Sequence, residues 1–146
     1  MTEEHEKLLL KDLSARLPYG VKLRISSWDD VNMEYVDKAD TLYSISSDNH
    51  VRTSSEDQDF YIDEIKPYLF PKSSMNEEQR NEYNRLRGVS SIPTLLYYCD
   101  NLSEIVEEID LRRTVASINY LYENHFDCNG LIPLGLATDA TGLGIY

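Results

Sequence analysis

The chain has 146 residues, is 41% hydrophobic, and carries 14 Lys and Arg against 26 Asp and Glu, a formal charge of −12. That length and apolar content suit one domain with a sizeable core. The charge argues against direct contact with nucleic-acid phosphates or anionic membranes, since the dense basic spots are Arg85/Arg87 and Arg112/Arg113 alone.

No run of 18 apolar residues marks a membrane-spanning helix. The start, MTEEHEKLLLKDL, is acidic and amphipathic, unlike a secretory signal. The expected location is the cytoplasm, with Cys99 and Cys128 as free structural thiols. Thr2 caps a first helix, Glu3 and Glu4 suit its positive end, and Leu9, Leu10, Leu13 and Leu17 form its apolar stripe. Pro18-Tyr19-Gly20 stops it.

Three alternating runs follow, 21–26, 31–36 and 41–46, separated by Trp28-Asp29-Asp30 and by the turn-like Asp37-Lys38-Ala39-Asp40. Their short connections predict an antiparallel meander. Residues 47–59 hold one apolar residue and read as a solvated loop. FYIDEIKPYLF (60–70) reads as a short helix or an irregular apolar segment. Asn76 with Gln79, or Ser74 with Glu77, has capping-box spacing for a surface helix ending at Gly88.

TLLYYC (94–99) reads as a central buried strand. Asn101 and Glu104 begin a helix over 101–110, with Leu102, Ile105, Val106 and Ile109 inward and Glu104, Glu107 and Glu108 outward. A further helix over 112–124 carries Val115, Ile118, Leu121 and Tyr122. The expected fold is α+β: a single domain with a small antiparallel sheet, from strands near 21–26, 31–36, 41–46 and 94–99, packed against three or four helices.

Motifs that carry chemistry are sparse. Gly130 and Gly135 have phosphate-loop spacing, but Leu136 and Ala137 stand where Lys and Ser or Thr belong, and Pro133 removes an N–H donor. The better reading docks Leu131, Ile132, Leu134 and Leu136 into the core. His125-x-x-Cys128 lacks the further paired ligands that zinc needs, and Asp57-x-Asp59 lacks the glycine of a calcium loop. His125 reads instead as a cation against a helix C-terminus. Neither cysteine has an evident base and oxyanion donor. The acid pairs Asp29/Asp30, Asp57/Asp59 and Asp63/Glu64 are what any acidic chain offers. No catalytic residue, metal ligand or cofactor is expected.

Two stretches, EIKPYLFPKSSMNEEQ (64–79) and NHFDCNGLIPLGLA (124–137), with LSARLPYGV (13–21), are similar to a group of small acidic proteins from gut Bacteroidetes and their phages and mobile elements. Cys128-Asn129 replaces a Tyr-Arg pair frequent in that group, and TDATGLGIY replaces its acidic ending. The resemblance implies a mobile-element setting and transfers no activity or functional residue.

The expected function is contact with an unidentified protein partner. Tyr43 and Tyr61, flanking the polar loop, would supply aromatic anchors. One alternative is an acidic decoy that occupies a nucleic-acid-binding protein through Glu104, Glu107 and Glu108. The other is an enzyme or small-molecule binder whose site composition does not reveal.

Overall fold

A computed structural model describes residues 1–88 and 102–146, with side chains of the second stretch described from residue 110 onward. The strand expected at 94–99, with Tyr97, Tyr98 and Cys99, lies outside the described residues, as does Asn101.

Helix α1 (Glu3–Arg16) starts as its sequence dictates. The Thr2 hydroxyl accepts the N–H of His5 at 3.2 Å, and Glu3, Glu4 and Glu6 fill the first turn. Leu9 and Leu13 are buried, Leu10 is half-buried, and Leu17 is exposed beyond the helix end. A one-turn 3-10 segment, Leu17–Tyr19, then reaches Gly20 at φ 65°, a left-handed conformation that glycine takes without steric cost.

β1 (Lys22–Asp29) and β2 (Glu34–Ile45) pair antiparallel from Lys22↔Thr41 to Asp29↔Glu34. β2 runs straight through Asp37-Lys38-Ala39-Asp40, which composition reads as a turn. Each charge there finds a partner that only the strand supplies. Asp37 pairs with Arg24 on β1, and Lys38 pairs with Glu56. Asp40 accepts the Ser54 hydroxyl at 2.9 Å, the Ser55 hydroxyl at 2.5 Å and the Thr41 N–H at 2.7 Å. Burial opposes the charged form of Asp40, but the bonds from Ser55, Ser54 and the Thr41 amide outweigh it and hold the carboxyl below its usual range.

The expected loop at 47–59 contains β3 (His50–Thr53), which buries Val51 and Thr53. The apolar segment behind it forms β4 (Asp59–Tyr61) and β5 (Lys66–Leu69) rather than a helix. β5 pairs antiparallel with β1 and parallel with β6 (Thr138–Asp139). Among the described residues the sheet has six strands in the order β4-β3-β2-β1-β5-β6, so the class is α+β with a sheet larger than expected and mixed at one edge.

That order constrains its shape. In a flat sheet β4 and β5 stand four strand spacings apart, about 19 Å. The five steps from Tyr61 to Lys66 reach about 17–18 Å even when fully extended. They are not extended, because Glu64 N–H donates to Tyr61 O at 3.0 Å in a turn. The sheet must therefore coil and bring its far strands together. Accordingly Phe60, Ile62 and Ile65 share one buried cluster with Leu23, Ile25, Val51 and α1.

Helix α2 (Glu77–Arg87) has the Asn76/Gln79 capping box, with the Asn76 side chain accepting Gln79 N–H at 2.8 Å. It ends at Gly88, where a Cβ would collide with Arg113. α3 (Leu102–Glu123) is one helix, not the two expected at 101–110 and 112–124. Nothing between Asp110 and Arg113 breaks it, since the span holds neither Gly nor Pro. Leu121 is buried, whereas Val115 and Ile118 are exposed. Residues 64–79 and 124–137 meet in space: Phe70 N–H donates to His125 O at 2.9 Å, and Asp127 N–H donates to Phe70 O at 2.8 Å.

Residues 131–137 dock into the core through Leu131, Leu136 and Ala137, with Ile132 packed against them. Leu134 does not take part and is 46% exposed. Replacing Leu131 by Ala removes a fully buried side chain and is expected to cost about 2–5 kcal/mol in urea unfolding. Leu134→Ala is expected to stay within about 0.5 kcal/mol of the parent. Equal losses at the two positions would contradict this docking geometry.

Candidate functional site

The phosphate-like loop is already occupied by the protein's own carboxylate. Gly130 and Gly135 take φ 73° and 72°. The Leu131 and Ile132 amides, which a bound anion would use, donate to the Asp127 carboxylate at 2.8 and 2.9 Å. A second anion there would face a buried negative charge.

Beside this loop lies a buried polar cluster. Asp12 and Arg16, one helical turn apart on α1, are both fully buried. Arg16 donates through Nε to Asp12 Oδ2 at 2.6 Å and through Nη2 to Asp12 Oδ1 at 3.2 Å. The same Nη2 reaches Phe126 O at 2.8 Å and Cys128 Sγ at 3.8 Å. The guanidinium sits 4.9 Å from the centre of the Tyr122 ring. Asn129 donates to Asp12 Oδ1 at 2.8 Å and lies 3.2 Å from the Tyr122 hydroxyl. One ion pair thus ties α1 to the end of α3 and to residues 126–129.

The chemistry of this cluster is that of a clamp. Burial pushes the Cys128 thiol up, which keeps it from being a ready nucleophile. His125 offers it no hydrogen bond; its ring stacks on Tyr146 with centroids 4.0 Å apart. The Tyr146 hydroxyl accepts Lys22 N–H at 3.0 Å and donates to Tyr68 O at 2.7 Å, bridging β1 and β5. Burial and the nearby Arg16 lower the His125 pKa to about 4. His125 is therefore neutral at physiological pH, contrary to its expected role as a helix-end cation. Its φ of 59° ends α3 instead. Among the described residues no three His, Cys, Asp or Glu side chains form a metal-like group.

The residues named as partner contacts lie on the sheet. Tyr43 is 67% exposed and Tyr61 is 60% exposed. Tyr61 sits opposite His50 across the β3–β4 ladder, with ring centroids 4.6 Å apart. Tyr43 stands at a β-bulge, where the pairing shifts between Leu42↔Thr53 and Ser44↔Arg52. The Arg52–Asp59 ion pair lies in the same face at 2.8 Å. Toward the hairpin end, Trp28 and Tyr35 form an exposed edge-to-face pair at 5.1 Å.

A groove of about 550 Å³ runs between Tyr35 and Tyr61, lined also by Ser26, Gln58, Asp59, Phe60 and Glu64. Sequence reasoning missed Trp28 and Tyr35 because they were counted as turn and strand. Their alternation with inward Ile25 and Ser27 was the available signal. Glu104, Glu107 and Glu108 fall in α3, in the part whose side chains lie outside the description.

The His125 assignment predicts a pH dependence. Its folded pKa lies below the ordinary 6.5, so the unfolded chain takes up the proton first. The associated stability is present above the unfolded value and is lost as pH falls toward about 4. NMR titration should show a neutral His125 ring at pH 5.5, with midpoint near 4. A midpoint at or above 6.5 would contradict the buried stacking arrangement.

Comparison of the chain with protein-family models, with curated proteins and with solved structures finds no match.

Proposed function

We propose that the protein acts without catalysis, as an accessory that binds another protein through the open face of its sheet. The observation that carries this reading is the placement of its exposed aromatics. Trp28, Tyr35, Tyr43 and Tyr61 are all large, all exposed and all on strands β1, β2 and β4 of one sheet. Aromatic side chains offer large contact area at low entropic cost and dominate binding hot spots. The strands hold them in fixed positions, which limits the ordering cost of association.

The groove between Tyr35 and Tyr61 adds chemical direction. Asp59 and Glu64 line it, and the whole chain carries −12. A segment with Lys or Arg beside apolar side chains complements those walls, and the net charge steers a basic partner toward the protein.

Selection of a random peptide library against the immobilised protein tests this. Enriched peptides should carry basic and apolar residues together. Tyr43→Ser with Tyr61→Ser should weaken their binding at least about tenfold while leaving the melting temperature nearly unchanged. Equal binding by parent and double variant would contradict the reading.

A further inference from the structure

The seam between β1 and β5 holds a side chain where a backbone pair belongs. Leu23 lies opposite Pro67 and Arg24 opposite Lys66, so the next pair in that register is Lys22 with Tyr68. The strand pairing stops short of them. Instead the Tyr146 hydroxyl stands between the two, accepting Lys22 N–H at 3.0 Å and donating to Tyr68 O at 2.7 Å. Lys22 N–H faces β5 because β1 bonds to β2 through the alternate residues, as in the Leu42 N–H to Val21 O bond at 2.9 Å.

The rest of this notch is aromatic. The His125 ring stacks on that of Tyr146 at 4.0 Å with 13° between the planes, and the Phe70 ring lies 5.7 Å away at 49°. The result is a ring-sized slot with one donor and one acceptor at its end. A hydroxyl answers both. A carboxylate brings no proton to donate, and an ammonium brings no lone pair to accept with. Burial pushes the Tyr146 hydroxyl up to about 12, so it stays neutral and keeps the proton that Tyr68 O receives. An aryl ring without the hydroxyl would leave both backbone groups without that partner.

The segment that delivers Tyr146 is held lightly. Residues 141–144 are exposed and Ile145 is half-buried. Gly142 and Gly144 have nothing within 4 Å of where a Cβ would stand. Thr141 N–H goes to the Asp139 carboxylate and Leu143 N–H to Ala140 O, both within the same stretch of chain. Among the described residues, the hydrogen bonds that tie 141–146 to β1 and β5 are the two of the Tyr146 hydroxyl. Tyr146 as a whole is 45% exposed, so the notch is open to solvent.

We propose that this notch is a binding site for small para-substituted phenols, with Tyr146 as the occupant the chain itself supplies and a free phenol able to replace it. The ligand's hydroxyl takes the two backbone bonds, its ring takes the place against His125 and Phe70, and residues 141–146 lift away. The built-in occupant is tethered and competes at a high effective concentration, so a free phenol binds the parent weakly. Tyr43 and Tyr61 take no part in the notch, so its failure would leave the open-face reading standing.

Titration with p-cresol, the tyrosine side chain detached, tests this by NMR with the Lys22 amide and the His125 ring as reporters. Tyr146→Gly empties the notch and should bind p-cresol saturably, shifting both reporters. Toluene should bind that variant at least about tenfold more weakly. Tyr146→Phe keeps the tethered ring without its hydroxyl, so p-cresol should displace it at a concentration at least about tenfold lower than the parent requires. The Gly142 and Gly144 amide signals should sharpen as the segment lifts. Circular dichroism checks that each variant folds; should the Gly variant not fold, the Phe variant and the parent carry the comparison. Absence of saturable p-cresol binding by the folded Gly variant would overturn the proposal. So would equal binding of toluene, or no difference between the Phe variant and the parent.

Discussion

The fold turns on one buried ion pair. Arg16 and Asp12 have left water completely, and removing two charges from water is expensive unless each hydrogen bond is replaced. Replacements for Arg16 Nη2 and for Asp12 come from distant parts of the chain, Phe126 O and Asn129, and the Tyr122 ring lies against the guanidinium, while Arg16 Nη1 is buried without a hydrogen-bond partner. These contacts form only when α1, the end of α3 and residues 126–129 are in place together. Such a pair adds little net stability over an apolar core of the same shape, but breaking it by deleting one partner costs about 3–5 kcal/mol. Its contribution is to select a single arrangement.

Downstream of that clamp the geometry follows by short links. Residue 127 turns its carboxylate into the 130–135 loop and fixes it, which seats Leu131 and Leu136 against the sheet. The sheet coils because the β4–β5 connection is short, and coiling closes the core on the α1 side. Its other side is left open, with tyrosines and a tryptophan fixed on strands. The displayed aromatics are the basis of the contact role proposed above.

Local signals in the sequence were sufficient for much of this. The Thr2 cap, the Pro18–Gly20 stop, the β1 alternation, the Asn76/Gln79 box and the Gly88 end all depend on neighbours within four residues. Where partners are distant, the sequence reads differently. Asp37-Lys38-Ala39-Asp40 has turn composition, yet Arg24, Glu56 and the serines at 54 and 55 make it strand. Asp12 and Arg16 look like a surface pair at i and i+4, and only the approach of residues 122–129 buries them. Leu134 shares its neighbours' apolar character but turns to solvent, whereas Leu131, Leu136 and Ala137 reach the core cluster. Tyr43 and Tyr61 were legible as candidate contacts by type; their placement on one sheet face needed the register and the bulge.

Native-state hydrogen exchange tests the clamp most directly. The amides of α1 and those of Leu131 and Ile132 are far apart in sequence but joined through Arg16, Asp12 and Asp127. They should exchange with the same opening free energy, and Arg16→Met should lower protection at both places by the same amount. Loss of protection in α1 alone, with Leu131 and Ile132 unchanged, would contradict the claim that one buried pair holds the two ends together.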